Sequence, residues 1–274
     1  MGRIPPASVK RELRQEVNFG CAVCGAPLIE YHHIIPYSEV EQHDPDHMVA
    51  LCPNHHRLSD DGAISRSELY EAKRDPANSE VVDYDFYFDP HSPVIPLGSN
   101  VVEIGSFGRY RILQVKGEPI ISVNYTDGRV EFDVNFYNED NDLIAVITDN
   151  EWWADTEEFW DIKYQSNRLK LWNEKYKIGF LSEYDPDNST ISFRGRFLYD
   201  GDEFIIHPSS IKFPGGGGGG MTNIGIVIGA DEDYEPRISN MYGSIINFTH
   251  DPNGVFAVGE ENGGFAFSLP ESNQ

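Results

Sequence analysis

The stretch that decides the reading of this chain runs from Cys21 to His56, above all through CAVCG at 21–25, EYHHI at 30–34 and HMVALCPNHH at 47–56. All 3 cysteines and 6 of the 9 histidines of the 274-residue sequence fall inside it, so any metal chemistry belongs here. Cys21 and Cys24 form a C-x2-C pair, and Cys52 with His55 repeats that interval after a gap of 27 residues. Three thiolates and one imidazole match a closed tetrahedral zinc site, in which no ligand position stays open for chemistry; Cys21, Cys24, Cys52 and His55 therefore read as a structural zinc set. Gly20 and Gly25 bracket the first pair and suit a tight knuckle around a sulfur-bound ion. Five histidines of the stretch remain, and four of them, His32, His33, His47 and His56, require another explanation beside a closed site.

Working outward, Ser8 reads as the N-cap of a helix whose Val9, Leu13 and Val17 recur every four positions. Lys10, Arg11 and Arg14 occupy its outer faces, either as a solvated surface or, given their place just before the cysteines, as an edge for phosphate contact. LIEYHHII at 28–35 reads as a strand ended by Pro36, YSEVEQHDPDH as a loop, and MVAL at 48–51 as a second strand leading into Cys52. Pro53 suits the first turn of a helix that Gly62 closes. Ser65 and Glu68 have capping-box spacing and open another helix that runs through Arg74 and stops before Pro76. Adjacent helix residues point about 100° apart, so His55 and His56 can serve different sites. Strand neighbours point to opposite faces, so His32 and His33 reach one site only if the strand ends or bulges there.

From about residue 80 the pattern changes to period two, as in VDYDFYF at 82–88, VVEI at 101–104 and RYRILQV at 109–115. Turn signals recur at 126–128, 138–142, 165–167, 185–189 and 199–202, which predicts an all-β sandwich or barrel-like region. Trp152, Trp153, Trp160 and Trp172 supply its bulk, as core or rim, with a ligand-binding face as the alternative. Six glycines at 215–220 read as a flexible linker or a junction, and 221–274 as a glycine-rich β extension.

Charge bounds the function. The formal net charge is −24, which argues against capture of a polyanion by the protein as a whole; any nucleic-acid contact must be local or metal-supported. Residues 1–75 carry 8 Lys/Arg against 12 Asp/Glu, which leaves −20 for the remainder. No apolar run is long enough to span a bilayer, MGRIPPASVKRELRQ has no apolar signal core, and three cysteines in metal-like positions suit a reducing compartment. A cytoplasmic protein without membrane contact is expected.

The words EYHHIIP at 30–36 and HMVALCPNHH at 47–56, with CAVCG ahead of them, resemble the HNH endonucleases over about the first 75 residues. That resemblance implies a small N-terminal ββα-metal domain with structural zinc at 1–78; with the β pattern that follows it, the expected chain is α+β, with a larger all-β domain at 79–214, the linker at 215–220 and the extension at 221–274. It implies hydrolysis of phosphodiester bonds in DNA, with RNA not excluded, and a catalytic divalent cation (Mg2+, Mn2+, Ni2+ or Zn2+). His33 takes the place of the general base, His32 and His56 those of metal ligands, and His47 the middle position that orients the base. His32 stands where the family often has Asp and His47 where it usually has Asn; an imidazole in place of a carboxylate favours Mn, Ni, Co or Zn over Mg. Alternatives are a zinc-stapled nucleic-acid or protein binding module without catalysis, and a defence or toxin effector in which the β-rich part regulates the nuclease or binds a protein partner.

Overall fold

The computed structural model describes residues 4–86, 94–104, 108–115, 118–126, 128–165, 167–212, 220–221, 224–230, 236–243, 257–259 and 265–269. The chain divides into two compact units, one made of Met1–Tyr84 and Trp153–Lys177, the other of Asp85–Trp152 and Ile178–Gln274. The fold is α+β, with a small ββα region near the N-terminus and the β-rich region in sheets.

In the first unit, helix α1 (Ala7–Glu16) buries Leu13 and is followed by the fully buried Val17. It begins one residue before the expected cap: Pro6 is the N-cap and makes no side-chain bond, so Ser8 lies inside the first turn. Asn18 and Phe19 take left-handed backbone angles and turn the chain into the knuckle. There the Gly25 N–H donates to Cys21 O at 2.8 Å, and the Cys21 N–H to Ala26 O at 2.9 Å. Glycine is needed at 20 because a Cβ there would lie 2.1 Å from Gly25 O and 2.3 Å from the Asn78 amide nitrogen. That amide donates to Gly25 O at 3.1 Å and to Asn18 O at 3.3 Å, pinning the far end of the module to the knuckle.

Strand β1 (Glu30–His33) pairs antiparallel with β2 (Met48–Leu51), in the register Glu30↔Leu51, Tyr31↔Ala50, His32↔Val49 and His33↔Met48. β1 is shorter than the strand expected over 28–35. The intervening segment, expected as loop, holds a one-turn helix α2 (Tyr37–Val40) and a 3-10 turn at Pro45–His47. β2 is buried along its whole length, and the Ala22 N–H donates to Ala50 O, so the knuckle sits directly on the hairpin. Pro53 opens α3 (Pro53–Asp60), after which Gly62 takes a φ of +73°. Helix α4 (Arg66–Arg74) carries the expected capping box, with Ser65 and Glu68 exchanging bonds. Val17, Cys21, Ala22, Ile34, Val49, Ala50, Leu51, Cys52 and Leu69 form the core of this module.

The first unit also contains a β-hairpin from much later in the chain, Asp161–Gln165 with Arg168–Glu174, in the register Asp161↔Trp172 and Lys163↔Lys170. It packs on α1. The Arg14 guanidinium donates twice to the Asp161 carboxylate, at 2.8 and 2.6 Å, and once to the Tyr31 hydroxyl, and the Gln15 amide donates to Trp160 O at 2.6 Å.

The second unit is a sandwich. One sheet contains the meander Gly108–Val115, Glu118–Thr126, Arg129–Tyr137 and Leu143–Thr148, and the other contains Lys177–Asp185, Thr190–Tyr199, Asp202–His207, Val94–Leu97 and Asn100–Ile104. Arg129–Tyr137 alternates strictly between buried and half-exposed positions until its end, which turns Phe132 and Phe136 inward. Phe132 meets Phe193 at 5.4 Å between ring centres, and Phe136 meets Phe180 at 5.8 Å and Phe197 at 6.0 Å, which joins the two inner faces. Trp152 is 1% exposed and presents no binding face. Gly220 and Met221 pair with Lys212 and Ile211; residues 215–219 of the glycine run, and 244–256 of the last segment, lie outside the described residues. Among the described residues no helix is long and apolar enough to cross a membrane.

Candidate metal centres and active site

The first cluster is built by two turns brought together through β2. Cys21 and Cys24 come from the knuckle, Cys52 is the N-cap of α3, and His55 lies on that helix's first turn. Cys21 Sγ is 3.4 Å and Cys52 Sγ 3.2 Å from His55 Nδ1, and Cys24 Sγ is 3.8 Å from Cys52 Sγ. Ligands about 2.0–2.3 Å from a tetrahedral zinc are separated by roughly 3.3–3.8 Å, so the four atoms have the spacing of a zinc cage. Burial, together with the neighbouring Cys21 and Cys52 sulfurs, pushes the Cys24 thiol up to about 12. A cation among the three sulfurs removes that cost, since it favours the thiolates.

The second cluster is His32, His56 and Asp60, whose ligand atoms lie within 4.8 Å of one another. His56 and Asp60 are four apart on α3 and share one face, while His55 turns toward the cysteines. His32 Nδ1 is 3.3 Å from Asp60 Oδ1, and His56 Nε2 is 3.7 Å from Asp60 Oδ2. On its other side, His56 Nδ1 is 2.5 Å from Glu30 Oε2, which orients the ring so that Nε2 faces the cluster. The His32 side chain is only 12% exposed; burial lowers its pKa, the neighbouring His56 lowers it further, and Asp60 opposes the shift. A neutral imidazole is the form that binds metal. Two imidazoles and one carboxylate suit Mn, Co, Ni or Zn, and Asp60 supplies the carboxylate that position 32 lacks.

His33 is the last residue of β1 and stays in register opposite Met48. Its Nε2 is 3.0 Å from His43 Nδ1, and the Tyr37 ring lies 5.7 Å away in a T-shaped arrangement. Burial lowers the His33 pKa, and His43 and His56 lower it further, which keeps the ring neutral near pH 7. His47 is placed elsewhere: its Nδ1 is 2.8 Å from the Tyr70 hydroxyl. Its backbone carbonyl accepts the Ile34 N–H at 2.8 Å, extending the hairpin just beyond His33.

Arg14 is corrected as a phosphate contact. Its side chain is 8% exposed and bound to Asp161, and although burial opposes its charge, Asp161 and Tyr31 outweigh that and raise its pKa. Lys10 lies 5.7 Å over the Tyr31 ring and Arg11 4.2 Å over the Trp160 ring, both half-exposed. Sequence reasoning missed Asp60, Glu30 and His43. The i, i+4 relation of His56 and Asp60 on a predicted helix was the one signal available. Glu30 and His43 had none, because their partners are set by the hairpin and the 34–47 connection.

No curated protein and no solved structure matches the chain at a significant level. Residues 21–65 match the HNH endonuclease family model, a span that contains both clusters, His33 and all of α3. Residues 21–65 thus match the HNH endonucleases, and the Cys21, Cys24, Cys52 and His55 cluster within them fits a zinc-binding module.

Proposed function

We propose that the protein is a metal-dependent endonuclease that hydrolyses phosphodiester bonds of DNA. The observation that carries this reading is the meeting of His32, His56 and Asp60 beside the strand-terminal His33, next to a second, separate four-ligand cage. His32, His56 and Asp60 would hold the catalytic ion, and Cys21, Cys24, Cys52 and His55 a structural zinc. A divalent cation bound by the first set supplies positive charge to the pentacovalent phosphorane and the departing 3′ oxygen.

His33 removes a proton from water as the water oxygen bonds to phosphorus and the P–O3′ bond breaks. With Nε2 engaged by His43, the free nitrogen for that proton is Nδ1, so the resting ring carries its hydrogen on Nε2 and donates it to His43 Nδ1. His43 thereby holds the tautomer that makes His33 a base. Glu30 accepts from His56 Nδ1 and holds the ligand ring in place. His47, bound to Tyr70, acts on the base only through the backbone that ends β1.

The test is incubation of the purified chain with supercoiled plasmid and with RNA across Mg2+, Mn2+, Ni2+ and Zn2+, with His33→Ala and His43→Phe in parallel. Nicking that needs a divalent ion and falls at least a hundredfold in His33→Ala is expected. Equal nicking by a zinc-loaded His33→Ala sinks the assignment of the base, and no cleavage with any metal leaves a binding module.

A further inference from the structure

The hairpin Asp161–Glu174 brings cations to α1 that lie some 150 positions away in sequence. Ile162, Tyr164, Leu169 and Leu171 are buried on one hairpin face; Lys163 and Lys170 lie half-exposed on the other, which also carries Asp161 and Trp172. The Arg14–Asp161 pair docks this second face against α1, beside Lys10 and Arg11.

Several observations single out the positive charge gathered here. Arg57, Arg66 and Lys73 each have a carboxylate partner, in Asp61, Glu39 and Glu16. Among the described residues Lys10, Arg11, Lys163 and Lys170 have none, and Asp161, the acid that acts on Lys163 and Lys170, is already taken by Arg14. Lys163 and Lys170 stand directly opposite each other across the hairpin, a like-charge pair that costs stability in the free protein. Burial lowers the pKa of both ammonium groups, with Arg14 and Lys10 adding to the shift at Lys163 and Arg168 at Lys170, as expected where positive potential accumulates. Aromatic rings are interleaved: Arg11 lies over Trp160 and Lys170 over Trp172 at 4.5 Å.

We infer that α1 and the 161–174 hairpin together form a docking surface for the phosphodiester backbone of a nucleic acid, centred on Lys10, Arg11, Lys163 and Lys170. In a chain of net charge −24, an unpaired cationic face selects a polyanion by local charge complementarity. It also lies in line with the active site. Lys10 covers Tyr31, and Tyr31 is two residues before His33 on the same side of β1, about 7 Å along the strand. This inference rests on the nuclease reading and extends it to residues outside the span that matches the HNH family.

Fluorescence anisotropy with a labelled DNA duplex, and with RNA of the same sequence, tests the surface in the full chain carrying His33→Ala, so that the probe is not cut. Lys163→Glu/Lys170→Glu is expected to weaken binding at least tenfold and to flatten the slope of log K against log salt by roughly two, about 0.9 per lost phosphate contact. Lys163→Gln/Lys170→Gln guards against misfolding: it should bind more weakly yet melt higher, because the cross-strand repulsion is gone. Arg66→Glu is the control and should bind like the parent.

Unchanged affinity and slope in both lysine variants overturn the proposal. So does tighter binding by the charge-reversed protein, which would mark the face as the seat of an acidic protein segment. Cleavage assays with His33 intact separate the two readings. If that chain cuts DNA while the lysine variants bind it normally, only the surface fails; if it cuts nothing but binds through these lysines, only the nuclease reading fails.

Discussion

In the sandwich unit the largest fully buried side chains are aromatic: Trp152, Tyr110, Phe132, Phe193, Phe197 and Phe204. In the first unit they include Leu13, Ile34, Met48, Leu51 and Leu69, and two of the nine residues in the core of its N-terminal module are Cys21 and Cys52 of the four-ligand cluster. A core of that size offers little apolar area to offset chain entropy, so the module is expected to rely on a metal at the four-ligand cluster beside the Asn78 clamp and the buried Arg14–Asp161 pair. The sandwich needs none of these.

Breaking the cage should expose the contrast most strongly. Cys21→Ser, or chelation, is expected to unfold the first unit, since structural zinc contributes on the order of 10 kcal/mol to small zinc modules. Circular dichroism and zinc analysis should then show lost helix and lost metal while the near-ultraviolet signal of the sandwich aromatics persists; a native helical signal without zinc would contradict this. The converse lesion is Phe193→Ala, which removes a ring packed against both Phe132 and Phe180. It should cost about 3–5 kcal/mol in urea unfolding of the sandwich and leave zinc content unchanged.

Asp161→Asn sharpens the comparison inside the first unit. It leaves the buried Arg14 with a neutral partner and should cost about 3 kcal/mol, at the low end for a broken buried pair because the amide oxygen still accepts one bond. A double change of Arg14 and Asp161 to apolar residues should recover most of that loss. The smallest effect is expected from Glu30→Gln, which weakens the grip on the His56 ring. Calorimetric titration of the catalytic ion should show about a 10–100-fold lower affinity, with melting temperature unchanged. Undiminished affinity would remove Glu30 from the site.

Much of the metal module was legible from spacing. The two knuckles, the Pro53 helix start, the Ser65–Glu68 capping box and the division of His55 from His56 depend on residues at most a few positions apart, where helix and turn geometry set the outcome. The alternation that turns Phe132 and Phe136 inward was similarly local. Arg14 was misread because a basic residue on a polar helix face has the same local signature whether it meets solvent, phosphate or a distant carboxylate. Asp161, 147 positions away, decided between them.

The sequence by itself pointed to a candidate zinc set of three sulfurs and a nitrogen, to further histidines beside it, and to a chain that continues into β-sheet, because these follow from ligand chemistry and short-range periodicity. Only the tertiary structure decided that Asp60 stands with His32 and His56, that His43 meets His33, and that a hairpin from residue 161 onward packs on α1 with Lys163 opposite Lys170. Those are contacts across folded elements. Their free energy comes from burial and pairing at long sequence separation, which no local pattern records.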